Sequence, residues 1–454
     1  MNRQPARRSV LHALLSALTR KAPEQAKQQV QSPRRPTLDD RDAWHSYWKE
    51  QGQPWRKEPE IDLQRQAELA QRRAIVPDIE RGIYPFKGVK LSRADVEWLL
   101  VTHENGRGSL DWSDKNQRKR EGLDLRGADL QGEDLSGLPL VRMQGGLSQG
   151  TDWNDATTEQ RETAAVHLEG ANLRGANLKG AILNKAHLEG ADLRTVHLEG
   201  ATLNYTHLEG KTIPIDSQRQ VQKNVPMVLP PANLREVFFD STTHIELPTM
   251  GNKQSGFISL ADVRWGGTNL AVIDWSLVNR LGDESKARQQ HRLSDYFAAV
   301  RANRQLSIVL RDQGLNEDAA RFAYRAQVLQ KTVFRLQMSQ SSISLRQRLR
   351  SLGAWLFSWF LFLLAGYGYK PGRSFLAYLL VIGTFMALYL LLNPHLAWYE
   401  AIVVSLTAFH GRGFSPSTFS PGDPLSSASA VEAFVGLIIE VTFIATLTRR
   451  FFGQ

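Results

Sequence analysis

Leucine recurs at every fifth position within residues 164–215 of this chain, and this repeat constrains the fold more than any other feature. On an α-helix a step of five turns through roughly 500° and scatters the leucines around the axis, whereas on a strand alternate leucines face opposite sides. The chain must therefore bend once per repeat, so that every fifth leucine points into one continuous interior. We expect the following residues to form this solenoid core: Leu168, Leu173, Leu178, Leu183, Leu188, Leu193, Leu198, Leu203 and Leu208.

Many of these leucines belong to an Ala-Asp/Asn-Leu-x-x pattern, as in residues 171–173, 176–178 and 191–193. The same pattern occurs earlier, in residues 128–130. It resembles the pentapeptide-repeat family, and the resemblance implies a right-handed, quadrilateral β-helix in which four pentapeptides make one coil of twenty residues. Because this scaffold carries unrelated functions, the resemblance predicts the fold and leaves the biochemistry open.

The flanks of the tract predict how the solenoid begins and ends. Residues 1–40 are basic and polar with little apolar material, so we expect a disordered tail. Residues 41–120 are rich in aromatic side chains and are predicted to form the N-terminal cap that a solenoid needs over its first coil. The β-helix is predicted over residues 121–275, with an insertion loop at 143–163 where the five-residue phase breaks, and with irregular last coils.

Beyond the repeats the pattern becomes helical. Over residues 283–350 the apolar spacing is that of a tetratricopeptide-like helix hairpin, with Gly314 at its corner. A single hairpin is not a binding array. We therefore interpret this segment as a helical adaptor that joins the solenoid to the rest of the chain.

The C-terminal part, residues 351–454, is predicted to be an α-helical membrane domain. Segments 374–392 and 431–447 are apolar and close to the length that crosses the hydrocarbon core. The apolar segment 352–369 either spans or lies along the inner interface. If the three basic clusters beside these segments are all cytoplasmic, 352–369 is interfacial, the other two segments span, and both termini are inside. A three-span arrangement is the alternative.

The segment between the two spans, residues 398–414, contains a short apolar helix followed by a glycine-rich turn. This order resembles the pore loop of two-transmembrane potassium-channel-like proteins. Here Thr-Ala-Phe-His-Gly-Arg stands in place of that family's Thr-Val-Gly-Tyr-Gly filter, whose carbonyls replace an ion's hydration shell. The resemblance implies the following pathway residues: Thr407, His410, Gly411, Arg412 and Gly413.

Two acidic residues lie within the last apolar segment. Glu440 is near its middle, where an ionisable group is costly and usually faces a bundle interior or an aqueous path. It either lies on a pore or proton pathway or pairs with Arg412, His410 or a neighbouring subunit. Glu432, near the outer end, is expected to reach water, and Gly436 suits close helix packing.

The repeat His-Leu-Glu-Gly occurs four times, and three of its histidines, His167, His187 and His207, are separated by twenty residues. In the family's geometry they would stack in a ladder about 4.8 Å per coil, beside a ladder of glutamates. Such a ladder either binds a metal or senses pH, or its outward side chains are solvated copies of one repeat. We favour solvated copies and predict no metal ligand.

No phosphate-binding loop, nucleophile elbow or metal-ligand spacing appears, and the chain lacks cysteine, so we predict neither an enzyme nor a cofactor. No module of basic and aromatic residues appears, so we expect no nucleic-acid partner. Residues 121–215 carry eight Lys or Arg against fourteen Asp or Glu, a balance that favours a DNA mimic. We predict a bacterial-type inner-membrane protein with a cytoplasmic solenoid that binds an unknown protein and a membrane domain that forms a homo-oligomer. That domain either conducts ions or only anchors a scaffold. A DNA-mimicking solenoid that binds a topoisomerase is the other alternative.

Overall fold

The computed structural model describes residues 35–37, 40–213, 227–246, 248–252, 254–340, 344–412 and 424–451. The chain divides into two compact units, Met1–Pro59 and Glu60–Gln454. The predicted disordered tail, residues 1–40, lies outside the described residues except for four positions, and it stays a prediction.

The first unit contains helix α1, Arg41–Glu50. Asp40 accepts a hydrogen bond from the backbone N of Ala43 at 2.9 Å, which caps the helix. The rings of Trp44 and Trp48 stack with centroids 5.5 Å apart, and the Arg56 guanidinium lies 3.5 Å from the Trp48 ring centroid. These contacts hold α1 against the chain that follows it.

The second unit opens with short helices that precede the repeats. The Leu91 amide donates to the Asp129 carbonyl, and the Arg93 guanidinium donates to the Asp134 carbonyl at 2.6 Å. Residues from this stretch therefore cover the first coil, whereas residues 41–59 of the predicted cap belong to the other unit. The helices are α2 Leu63–Arg73, α3 Arg93–Val101, α4 His103–Gly106 and the 3-10 helix Gln117–Lys119.

The repeat tract forms a stack of coils. All nine repeat leucines are buried, with at most 2% of the side chain exposed. Isolated parallel β-bridges join residues twenty apart, as between His167 and His187, so one coil takes four pentapeptides. The residue two places after the leucine has a positive φ in eight of the nine repeats, for example 69° at Gly170 and 65° at Lys185, and there the chain bends. Because the bridges stay isolated within the described tract, the right-handed quadrilateral β-helix itself remains a prediction.

The first interruption of the repeats differs from the predicted loop at 143–163. Met143 is buried and Gln144 still bridges to Asp124, so the insertion begins later than the sequence suggested. Bridges across it join residues 38 apart, as between Asp129 and His167. The break in the five-residue phase predicts that residues are inserted but not what structure they form. The insertion contains helices α5 Thr151–Asp155 and α6 Thr158–Ala164.

After the regular repeats the stack continues irregularly. Strand β1, Lys211–Ile213, pairs antiparallel with β2, Met227–Leu229, and β3, Gly251–Asn252, pairs antiparallel with β4, Gly256–Phe257. Bridges between Phe238 and Arg264 and between other distant residues still stack these segments. A 3-10 helix, Trp275–Leu277, follows.

Three helices form the adaptor region. Tyr296, Val300, Leu329 and Val333 are buried in their shared core. Gly314, with a φ of 79°, turns the chain between the two long helices. The helices are α7 Gly282–Gln290, α8 Leu293–Asp312 and α9 Asn316–Ser339.

The C-terminal helices include three that are long and apolar enough to cross a membrane, Leu345–Gly368, Pro371–Leu392 and Pro424–Thr448. The first contains most of the segment predicted to be interfacial, so length and composition do not decide between two and three spans. The helices are α10 Leu345–Ala365, the 3-10 helix Gly366–Gly368, α11 Pro371–Leu392, α12 Trp398–Phe409 and α13 Pro424–Phe451.

Candidate functional site

Helix α12 is a short apolar helix packed between two longer ones. Its 12 residues rise about 18 Å, too little to cross a hydrocarbon core of about 30 Å. Ala401 and Val404 pack with Tyr389 of α11, while Phe409 packs with Ile439 of α13. The short helix α12 therefore packs against both long helices, α11 and α13.

A buried polar cluster fixes α12, and sequence reasoning missed it. Glu432 was expected to reach water, and this expectation is wrong because the residue is fully buried. Its carboxylate accepts hydrogen bonds from the hydroxyl of Tyr389 at 2.6 Å and from the hydroxyl of Ser405. The Ser405 hydroxyl also lies 3.1 Å from the Ile382 carbonyl. Helices α11, α12 and α13 each supply one side chain to this cluster. The positions of apolar segments in the sequence do not show which polar side chains meet between them.

The predicted pathway residues lie around the C-terminal end of α12. His410 Nδ1 contacts the Glu440 carboxylate on α13. Thr407 donates its hydroxyl to the Val403 carbonyl of its own helix at 2.8 Å. Gly411 turns the chain with a φ of 65°, and Arg412 is exposed. Gly413 lies outside the described residues.

The His410–Glu440 pair borders a groove of about 490 Å³. The remaining lining is mostly aromatic or aliphatic and includes Phe375, Tyr378 and Phe443. The pair is only partly covered, because 40% of the His410 side chain and 36% of the Glu440 side chain are exposed in the single chain. A polar pair thus lies open on the side of apolar helices.

Gly436 allows α12 and α13 to approach closely. A Cβ atom at this position would lie 2.2 Å from the carbonyl oxygen of Phe409. Only a glycine leaves room for that backbone contact. The approach brings the end of α12 onto α13, beside the His410–Glu440 pair.

The second candidate site is the histidine ladder on the coils. The His167 and His187 rings stack with centroids 4.8 Å apart at 2°, and His187 and His207 stack at 4.8 Å and 7°. Each ring Nδ1 faces the glutamate two residues later, at 3.2 Å from Glu169 in the case of His167. The twenty-residue coil produces this stack directly.

The interpretation of this face as solvated copies is wrong for its buried members, whereas His167, His207 and Glu209 remain partly exposed. Glu169 and Glu189 are 6% and 2% exposed, and His187 is 8% exposed. Two segments outside the regular repeats cover them, because Lys211 of β1 lies 3.4 Å from Glu189 and Glu162 of α6 lies 3.6 Å from His187 Nε2. Both covering residues lie outside the ladder's own repeat motif.

The contacts along the ladder shift the pKa values of its members. The hydrogen bond to Glu169 raises the pKa of His167 above its ordinary value, against the opposing effect of burial. The hydrogen bond to Glu209 does the same for the pKa of His207. Burial alone would raise the pKa of Glu169, yet the contact with His167 brings that pKa below its usual range.

The ladder brings possible metal ligands together in two groups. Glu162, His187 and His207 each place one ligand atom within 4.8 Å of the others. His167, Glu169 and His187 do the same on the neighbouring part of the face. The twenty-residue spacing predicted that the histidines lie together. It could not predict Glu162, because this residue belongs to the inserted helix α6.

Comparison with known proteins supports the repeat prediction. Residues 164–200 match the family model for pentapeptide repeats, with 8 copies. The predicted pentapeptide repeats are thereby confirmed in this tract. No curated protein sequence matches the chain.

Several solved structures are similar to part of the chain. A pentapeptide repeat protein from the Arabidopsis thaliana thylakoid lumen is 18% identical with a TM-score of 0.15, covering 34% of this chain and 64% of that protein. QnrB1, a plasmid-mediated fluoroquinolone resistance protein, is 13% identical with a TM-score of 0.13, covering 39% of this chain and 92% of QnrB1. HetL, involved in heterocyst differentiation regulation in the cyanobacterium Nostoc, is 18% identical with a TM-score of 0.10, covering 33% and 60%. The chain thus spans less than two thirds of the Arabidopsis protein and of HetL.

Proposed function

We propose that this chain is a membrane-anchored pentapeptide-repeat scaffold whose C-terminal helices assemble into an ion-conducting oligomer. The coils, as a right-handed quadrilateral β-helix, present a rigid surface to a protein partner. The helices α11, α12 and α13 supply a span, a short pore helix and a returning span. The Glu432 cluster supports this assignment, because it holds α12 between the two longer helices through Tyr389 and Ser405.

The exposed His410–Glu440 pair carries the proposal. Ionisable side chains at membrane depth are costly unless they face a bundle interior or water. In the single chain this pair opens onto an apolar groove, with more than a third of each side chain exposed. Helices α11, α12 and α13 of one chain cannot enclose a pore by themselves. In the proposed oligomer, other copies of the chain therefore cover the groove. The pair then faces the space that the copies enclose.

We expect the purified full-length chain to conduct ions when reconstituted in liposomes. Flux of potassium, sodium, chloride and protons is measured for the wild type and for Glu440→Gln, which removes the charge beside His410. The variant should change flux by about tenfold or more, since a charge at a narrow point of a low-dielectric path dominates the barrier.

Glu400→Gln is the matched control, because Glu400 accepts a hydrogen bond from the Ala397 amide at the start of α12, away from the pair. It should leave flux within about twofold of the wild type. If folded and inserted protein carries no ion, conduction is excluded. If both variants behave like the wild type, Glu440 is not on the path.

A non-conducting scaffold is the second candidate, and the adaptor contacts favour it. The Lys331 ammonium of α9 lies 3.8 Å from the ring centroid of Trp359 on α10 and 4.0 Å from that of Phe362. Such cation–π contacts tie the adaptor to the first apolar helix. A rigid connection of this kind would serve anchoring alone. Absence of flux together with retained membrane insertion would select this candidate.

We further propose that the repeats are cytoplasmic at a bacterial-type inner membrane, with two spans and both termini inside. The cysteine-free chain allows a direct test with Gln347→Cys, Gly372→Cys and His395→Cys, all at exposed positions. In cells with a permeabilised outer membrane, an impermeant maleimide should label only the His395 variant. Labelling of the Gly372 variant, with the Gln347 and His395 variants protected, would instead establish that α10 crosses the membrane.

A further inference from the structure

We propose that Glu162, His187 and His207 form a binding site for a divalent transition metal ion, for which Zn²⁺ is the best-fitting ion. The site would join the inserted helix α6 to two successive coils. None of its three residues belongs to the membrane helices, so its existence is independent of ion conduction.

The three ligand atoms converge on one point at the edge of the ladder. Glu162 Oε1 lies 3.6 Å from His187 Nε2 and 3.8 Å from His207 Nε2. His207 Nε2 is buried and has no hydrogen-bond partner among the described residues. Two imidazole nitrogens and one carboxylate oxygen are a donor set that binds Zn²⁺ and leaves a fourth position for water.

Hydrogen-bonding partners on the Nδ1 side orient both histidines for metal binding through Nε2. His187 Nδ1 lies 3.4 Å from Glu189, and His207 Nδ1 lies 3.5 Å from Glu209. A carboxylate that holds the Nδ1 proton leaves Nε2 as the free lone pair and orients the ring, as partners of metal-bound histidines commonly do. The Nε2 atoms are the ones that face Glu162.

The charge balance also favours a cation. The groups around the rings comprise four carboxylates and two ammonium groups, which leaves an excess of two negative charges. The members are Glu162, Glu169, Glu189, Glu209, Lys185 and Lys211. Lys211 neutralises the Nδ1 side, where it lies 3.9 Å from Glu169 and 3.4 Å from Glu189. Lys185 also lies 3.1 Å from Glu162, but it contacts Oε2 and leaves Oε1 facing the two Nε2 atoms. The site at Glu162 is favoured over the group of His167, Glu169 and His187 because both Nε2 atoms face one carboxylate oxygen there.

Modest movement completes the coordination. The ligand atoms now lie within 4.8 Å of one another, and a tetrahedral ion with bonds of about 2.0–2.1 Å needs them about 3.4 Å apart. The Glu162 side chain is 43% exposed and the His207 side chain 22% exposed, so both have room to tilt. A capping box between Thr157 and Gln160 stabilises the start of helix α6, which carries Glu162.

The test is Zn²⁺ titration of the chelator-stripped, full-length protein in detergent, with a chromophoric competitor to report affinity. We expect one equivalent to bind, and Glu162→Gln and His207→Gln each to weaken that binding by about 10–100-fold or more. His197→Gln is the matched control. His197 comes from the same His-Leu-Glu-Gly repeat, with its Nδ1 3.0 Å from Glu199, but its ring stacks on Phe238 away from Glu162.

Each result decides the proposal. Equal binding by the wild type and His197→Gln, with loss in the other two variants, supports the site. Absence of a bound equivalent in the wild type, binding unchanged in Glu162→Gln, or an equal loss in His197→Gln would overturn it. Because Glu162 is substantially exposed, its variant should fold, and circular dichroism of the zinc-free protein verifies this.

Discussion

Replacing Asp283 with alanine should lower the free energy of unfolding by about 3–5 kcal/mol. Asp283 is fully buried at the start of α7 and pairs with Arg235 at 2.6 Å. It also accepts hydrogen bonds from the backbone amides of Leu260 at 2.6 Å and Ala261 at 3.1 Å. Removing one partner of a buried pair leaves the other charge and the amides without compensation, which is the costly case.

The measurement is chemical denaturation in detergent, with hydrogen exchange at Leu260 and Ala261 to locate the effect. Exchange at these two amides should accelerate, since the adaptor then releases the last coils. Asp274→Ala is the control, because Asp274 accepts from the Ser276 amide on an exposed turn and should cost about 1 kcal/mol at most. Equal small losses in both variants would show that Asp283 does not join the adaptor to the coils.

The repeat tract could be predicted because one physical requirement fixes it. Each leucine must reach a shared interior, and the residue two places later must bend the chain, as the positive φ of Gly175 and Gly190 shows. The requirement recurs every five residues, so a period in the sequence reports both the core and the corners. Even Thr195 and Tyr205 adopt this conformation, because their position in the repeat overrides the preference of their side chains.

The candidate sites were harder to predict because several of their residues lie in segments outside the five-residue repeat, where periodicity gives no information about position. Glu162 belongs to the first insertion and Lys211 to the strand after the last regular repeat, yet both cover the histidine ladder. Glu432 was assigned to water from its place near a segment end, and the packing of Tyr389 and Ser405 decided otherwise. Periodicity predicts which residues share a face, whereas long-range packing decides what covers that face.

The two candidate sites share a physical logic. In each, a histidine contacts a glutamate, but the ladder is largely covered by other segments of its own chain while the His410–Glu440 pair is left partly open. Enclosure suits a site that binds within one chain, and an open pair among apolar helices suits a surface completed by other copies. The ladder site therefore can be tested by ligand binding, and the membrane site by assembly and flux.

Gly436→Ala should separate α12 from α13 and cost about 3 kcal/mol of stability, the upper range for overpacking. The added Cβ would lie 2.2 Å from the Phe409 carbonyl oxygen, and a backbone atom cannot rotate away as a side chain can. We expect a lower thermal unfolding midpoint in detergent and, if the oligomer conducts, loss of flux as His410 moves from Glu440.

Gly383→Ala is the matched control, since Gly383 also lies within an apolar helix, α11, but a Cβ there meets no atom within 4 Å. That variant should be neutral or stabilised by up to about 1 kcal/mol, because alanine favours the helix over glycine. Alanine therefore changes intrinsic helix propensity in the same direction at both positions, and only the contact with Phe409 differs. If both variants melt together, α12 does not depend on this close approach, and the pairing of His410 with Glu440 needs another cause.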